Sequence, residues 1–254
     1  MANSVTTFVE KARQEAQASP RHPGEHQANA LLDQARHLIY HWPADFHGFA
    51  CLFRVVRDSQ TWEGELLAGD SAHFRLLWDK EPDREMRVWM NYQIGELLAH
   101  REAPSRAKMA SRSGVLLGND DPIFGRQVIF PDDPMESYYR IKEGKIRQIA
   151  RSYPSTRFVI NIDSHHHLRG LYAAEAYSAF YWRKDDAAFC KSETYFDDYR
   201  ELNGVYLPTL RRYSAASSQG LSNREIALFQ HRLLKTCPNV APAPPTGCPF
   251  HHKG

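Results

Sequence analysis

Apolar and polar residues alternate in short runs along the second half of the chain, and turn residues separate the runs. Tyr138-Tyr139-Arg140-Ile141 leads into Glu143-Gly144, and Ile146-Arg147-Gln148-Ile149 leads out, which is a hairpin signal. Phe158 to Ile162, Tyr172 to Trp182 and Phe189 to Tyr199 follow as further strand-like segments. Asn203-Gly204 stands between Tyr199 and Val205-Tyr206-Leu207. That dipeptide supplies the two positive-φ residues of a tight hairpin turn. A last segment, Glu225 to Leu234, ends the run. Five or six strands joined in order by short turns predict an antiparallel meander that curves into a half-barrel.

The first half mixes periods. Val5, Phe8, Val9, Ala12 and Ala16 form a helical stripe over Ser4 to Gln17, broken by Ser19-Pro20 and Pro23-Gly24. A second helix is expected over Glu25 to Tyr40, with Ala28, Leu31, Leu32, Ala35, Leu38 and Ile39 on one face, ended by His41-Trp42-Pro43. Phe49 to Val56, Thr61 to Leu67 and His73 to Trp78 read as strands, and Asp83 caps a helix running to about His100. Glu102 to Gly114 is polar and basic and reads as a loop, as do Gly118 to Phe124 and Pro131 to Pro134 around a short strand at Gln127 to Phe130. The fold class is therefore α+β: a curved antiparallel β-meander covered by helices, with an amino-terminal helical segment. It divides into a helical extension at 1–24, one domain at 25–235 and a flexible tail rich in Pro, Cys and His at 236–254.

Composition narrows the class without naming a chemistry. The 254 residues carry a formal charge of only +2, so no global field points to nucleic acid or an anionic membrane. With 13 Phe, 12 Tyr and 5 Trp the chain can still build a core. Four cysteines, at 51, 190, 237 and 248, are too few and too spread for a disulfide-stapled fold, and Cys51 and Cys190 read as small buried residues. No secretory signal or membrane-spanning run is visible, so the expected location is the cytoplasm.

Several short motifs occur together in a fixed order. They are Tyr40-His41-Trp42-Pro43-Ala44-Asp45-Phe46, His100-Arg101, Gly125-Arg126, Ser137 to Ile146, Arg157 to Asn161, Tyr181-Trp182, Glu193-Thr194, Leu207-Pro208 and His231 to Leu234. Over about Ala28 to Leu234 this pattern resembles an uncharacterised family of photosynthetic bacteria and plastids, described as a domain of unknown function. That family is similar in turn to the lipoprotein-carrier fold, an incomplete antiparallel barrel with helices over its concave face. The resemblance implies an apolar cavity able to shelter a lipid or pigment. It supplies no catalytic residues, and this chain lacks the carriers' export signal. Fold likeness alone assigns no activity.

The residues suggest three kinds of site. His165 and His167, in Asp163-Ser164-His165-His166-His167, point the same way if the segment is extended and could grip zinc, copper or iron with help from Asp163, Glu175 or His73. In the tail, Cys237, Cys248, His251 and His252 combine soft thiolates with imidazoles, though their spacing fits no zinc-finger template. Arg101, aided by Arg106 or Arg126, could anchor an acidic head group. Trp42, Trp62, Trp78, Tyr139 and Tyr181, like Trp89 and Trp182, could line a ligand cavity. Glycine loops for phosphate and nucleophile-elbow motifs are absent, and no catalytic residue is assigned. Of the acidic pairs, Asp197-Asp198 follows a strand, and alternation sends its two side chains to opposite faces.

The first expectation is a protein that binds or carries a hydrophobic or amphipathic small molecule in the concavity of a curved sheet. The alternatives are a metal-dependent enzyme using His165 and His167, and an accessory protein docking a partner through its amino-terminal helices.

Overall fold

The computed structural model describes residues 24–103, 114–240 and 242. The helix expected over Ser4 to Gln17, Arg106, Cys248, His251 and His252 lie outside the described residues. In chain order the described elements are α1 (Glu25–His37), β1 (Phe49–Arg57), β2 (Gln60–Ala68), β3 (Phe74–Trp78), α2 (Arg84–Ala99), β4 (Leu116–Asp121), β5 (Gly125–Ile129) and β6 (Tyr138–Lys142). They continue with β7 (Lys145–Ser152), β8 (Thr156–Leu168), β9 (Leu171–Arg183), β10 (Phe189–Leu202), β11 (Val205–Ser217) and β12 (Gly220–Leu233). All twelve strands form one antiparallel sheet in the order β3-β2-β1-β12-β11-β10-β9-β8-β7-β6-β5-β4. The order is linear, so β3 and β4 are edges and the sheet is not closed. The expected α+β class with an unclosed antiparallel meander is what the chain forms.

Two compact units emerge along the chain. The first comprises Met1–Ile39, Ser105–Tyr195 and Ser214–Leu221, the second Tyr40–Pro104, Phe196–Tyr213 and Ser222–Gly254.

The two expected hairpins, one in each unit, turn as their residues dictate. Glu143 and Gly144 have φ of 53° and 70°, and Asn203 and Gly204, which joins β10 to β11, 50° and 87°. A third such turn, Arg169-Gly170 at φ 53° and 84°, lets β8 run through the histidine run to Leu168. The lapse in apolar alternation there reflects bulges between Ile162 and His165 rather than a loop. α1 stops at His37, short of the proline signal, because Ile39 forms a bridge with Tyr172 and the Tyr172 backbone N–H donates to Leu38 O at 2.7 Å. The Tyr172 hydroxyl fixes the helix further: it donates to Ala35 O at 2.9 Å and accepts from Ile146 N at 3.1 Å. Gly118 to Asp121, expected as the start of a loop, belongs instead to the edge strand β4.

In the second unit Asp83 accepts from Met86 N at 2.7 Å and starts α2, which buries Met86, Met90, Ile94, Leu97 and Leu98. β1 buries Phe49, Cys51, Phe53 and Val55, the alternation read from the sequence. At Gly64 in β2 a Cβ would stand 2.0 Å from Leu77 O and 2.8 Å from the Phe53 ring, so β3 can approach only a glycine. Asp197 on β10 and Arg211 on β11 form a buried two-pronged pair at 2.7 and 2.6 Å. Arg211 Nη1 reaches the Gln93 Oε1 on α2 at 3.0 Å.

Candidate functional site

The registers of β6 to β9 place residues in cross-strand rungs, and paired residues share a face of the sheet. Tyr139 pairs with Ile149, Ile149 with Ile160, and Ile160 with Ala179. The neighbouring rung on the same face is Arg151, Phe158 and Tyr181. Tyr139, Ala179 and Tyr181 are buried, whereas Ile149, Phe158 and Ile160 stay half-exposed although β7 and β8 are interior strands. Tyr153 and Tyr181 flank the Phe158 ring, each at 5.7 Å between centroids. The result is an apolar panel on an aromatic floor.

Polar groups border this panel. The Tyr181 hydroxyl donates to the buried Glu193 carboxylate at 2.8 Å, and Tyr195 donates to it at 3.2 Å. Lys191 pairs with Glu193 at 2.6 Å and lies 4.8 Å from the Tyr181 ring, so acid and base balance there. Arg151 has no such balance. Its Nη2 donates to the Tyr139 hydroxyl at 3.2 Å, its Nε is buried without a partner among the described residues, and no described carboxylate pairs with it. The guanidinium pKa is nonetheless raised: burial pulls it down, and the Tyr139 oxygen and more distant Asp133 outweigh it.

In the second unit Arg101 is 3 % exposed. Its carbonyl accepts from Trp42 N at 2.8 Å, and its Nη1 donates to Tyr40 O at 3.3 Å. The guanidinium sits 5.1 Å from the Tyr199 ring centroid. Arg101 Nε and His41 Nδ1 are both buried without a partner among the described residues. Burial, and then the charge of Arg101, holds the His41 pKa below its ordinary value. Burial raises the phenols of Tyr40 and Tyr199. The adjacent Glu102 carboxylate is turned to the Ser71 backbone N–H and to its hydroxyl, the latter at 3.0 Å.

The structure therefore brings together Arg101 with Trp42, and Tyr139 with Tyr181 on one panel. Trp42 is buried, donates through Nε1 to Tyr206 O at 3.0 Å and packs on Phe46 and Phe49. Trp62 lies beneath the Arg57 guanidinium and Trp78 stands edge-on to Phe53, both in packing positions of the second unit. Arg126 is exposed, with Nη1 donating to Gly118 O at 3.1 Å.

His165 is half-buried, its ring edge-on to Tyr172 and its Nε2 3.1 Å from Ile146 O. Burial pushes its pKa down to about 4, and the nearby Arg147 and Lys145 add to this. His167 Nε2 is 3.4 Å from the Lys145 ammonium, and His166 faces Glu175 at 3.6 Å. His73 bonds to Asp70 at 2.9 Å. Among the described residues no group of three or more His, Cys, Asp and Glu is placed to hold a metal ion. Cys237 is exposed, 3.8 Å from His47 Nδ1, while Cys51 is buried and its thiol is pushed up to about 12. Cys190 is half-buried rather than fully enclosed.

Arg151 and Tyr199 carry no motif that marks them in the sequence, and His41, though inside the Tyr40 to Phe46 motif, is not marked there as a site residue. For Arg151 the one available signal is strand register, which sets it opposite Phe158.

No described helix is long and apolar enough to cross a membrane. A family model described as "Protein of unknown function (DUF3386)" matches residues 24–234. No curated protein matches the chain. Among solved structures, the crystal structure of a DUF1329 family protein from Desulfovibrio piger ATCC 29098 is similar at 9% identity, covering 83% of this chain and 93% of that chain, with a TM-score of 0.28. At that score the likeness fixes neither fold nor function.

Proposed function

The chain belongs to the DUF3386 family, and from that premise we propose that it binds an amphipathic small molecule with an acidic group on the β6–β9 panel. One observation carries this reading: an interior stretch of sheet leaves Ile149, Phe158 and Ile160 half-exposed beside Arg151, a cation with no described carboxylate. Removing apolar surface from water stabilises by roughly 25 cal/mol per Å², so a ligand chain covering this panel gains free energy from it. A carboxylate on that ligand would accept the Arg151 Nε–H and give the half-buried guanidinium its missing counter-charge. Tyr139 and Tyr181 form the floor, their hydroxyls engaged with Arg151 and Glu193. The ligand lies against side chains that are already in place, which suits holding and releasing cargo.

Laurate and dodecanol, alike in chain length and different in charge, test the reading by titration calorimetry. The wild-type chain should bind laurate more tightly than dodecanol. Arg151→Gln should remove the difference, and Ile160→Glu should weaken both. If neither amphiphile binds, or if Ile160→Glu leaves both affinities unchanged in a folded chain, the panel is not the site.

A further inference from the structure

A buried cation lacking an acid is costly, because the low-dielectric interior strips its hydration without returning an equal interaction. Arg101 is in that position at 3 % exposure. Its side chain donates to Tyr40 O at 3.3 Å and hydrogen-bonds to Tyr199, whose ring centroid lies 5.1 Å away, but these neutral groups offer only a partial counter-charge and its Nε is left without a partner among the described residues. The neighbouring acid, Glu102, is spent on Ser71. Next in the chain to Tyr40, whose carbonyl Arg101 binds, His41 feels the Arg101 charge and presents a buried Nδ1 without a partner among the described residues, while its ring also meets the Glu102 backbone.

We infer that Arg101 and His41 form an anion site in the second unit for a small carboxylic acid carrying an adjacent hydrogen-bond donor, such as a 2-hydroxy acid. The carboxylate accepts from the Arg101 Nε–H, and its neighbouring hydroxyl donates to the His41 Nδ1 lone pair. Two buried groups of opposite hydrogen-bonding sense are thereby satisfied by one ligand, which a plain carboxylate cannot do. The charge count agrees: burial and the Arg101 charge favour neutral His41, so the site offers one positive charge and suits a monoanion. Tyr40, Trp42, Tyr199 and Tyr206 surround these groups: Trp42 is bonded to Arg101 and Tyr206, and the Tyr206 N–H donates to the Tyr40 hydroxyl at 2.9 Å. This site stands independently of the amphiphile panel, because Arg151 takes no part in it.

The test uses the full chain labelled with 15N-arginine, following the Arg101 Nε–H signal during separate additions of glycolate, acetate and phosphate. Glycolate should shift that signal at the lowest concentration, with acetate weaker. Arg101→Gln should weaken glycolate about tenfold to a hundredfold, the loss expected for a hydrogen bond to a charged group. His41→Phe should bring glycolate down to the acetate level while acetate stays unchanged. Arg101→Lys, which keeps the charge and loses the planar fork, guards against a folding defect: a folded lysine variant with weakened glycolate binding supports the site. No shift with any of the three anions, equal binding of glycolate and acetate to the wild type, or undiminished glycolate binding by Arg101→Lys would overturn the assignment. Arg151→Gln, which tests the panel, should leave glycolate binding intact.

Discussion

Replacing Asp197 with alanine takes the counter-charge away from the Arg211 guanidinium in the core of the second unit. The pair is two-pronged, at 2.7 and 2.6 Å, and both side chains are 1–2 % exposed. Breaking such a pair from one side costs about 3–5 kcal/mol, because the surviving buried charge loses its counter-charge. For a chain of this size that lowers Tm by roughly 6–20 °C, at about 2–4 °C per kcal/mol. Removing both charges is another matter. Asp197→Leu with Arg211→Met exchanges a desolvated ion pair for apolar contact, which by itself is roughly neutral or stabilising by about 1–4 kcal/mol. The double variant still strands the Gln93 side chain that Arg211 held at 3.0 Å, at a cost of about 1–3 kcal/mol, and Gln93→Leu should recover that loss. Urea unfolding followed by tryptophan fluorescence, together with thermal melts, measures the series. The expected order of stability is triple above double above single. A single variant that loses less than about 1 kcal/mol, or a double variant no better than the single, would show that Arg211 finds water or another partner and would refute the reasoning.

Two further outcomes are expected. Tyr172→Phe keeps the ring and removes the hydroxyl joining Ala35 O to Ile146 N, which should cost about 1–3 kcal/mol and speed hydrogen exchange in α1; unchanged exchange there would mean that packing alone holds the helix. His165 has a folded pKa of about 4 against 6.5 for the free group, so the unfolded chain takes up its proton first as pH falls. Its contribution is complete above pH 6.5 and drains away as pH falls toward 4, and His165→Gln should flatten that part of the stability profile relative to wild type; parallel profiles would sink the assignment.

Short-range chemistry was legible in the sequence. Glu143-Gly144 and Asn203-Gly204 announce their hairpins because only such residues adopt two successive positive φ values cheaply, and Asp83 announces the start of α2. The motifs from Ala28 to Leu234 likewise point to an uncharacterised family, and the family match covers 24–234. Long-range pairing was not legible. Nothing local says that β1 lies beside β12, or that Ile39 bridges to Tyr172 and ends α1 early. The histidine run looked like an interruption because bulges mask the period of a strand, and a bulge is a property of the pairing rather than of one segment. At the candidate sites Arg101 stood out by type and by its place after a helix. The want of an acid beside Arg101 or Arg151 is visible only when every neighbouring side chain has been placed.

The partnership of β1 with β12 also bears on how the chain is made. Phe49 pairs with Leu233 and Arg57 with Arg224, so the amino-terminal hairpin leaves the ribosome long before the strand that completes it. Synthesis proceeds at roughly 5–20 residues per second, which leaves the β1 margin, with Phe49, Phe53 and Val55 alongside, unprotected for on the order of ten seconds or more. Loop closure over such a separation is slow, and an unmatched apolar margin recruits other nascent chains. Translation that halts before Gly220 therefore releases a product prone to aggregate, and chaperone demand should peak in that interval.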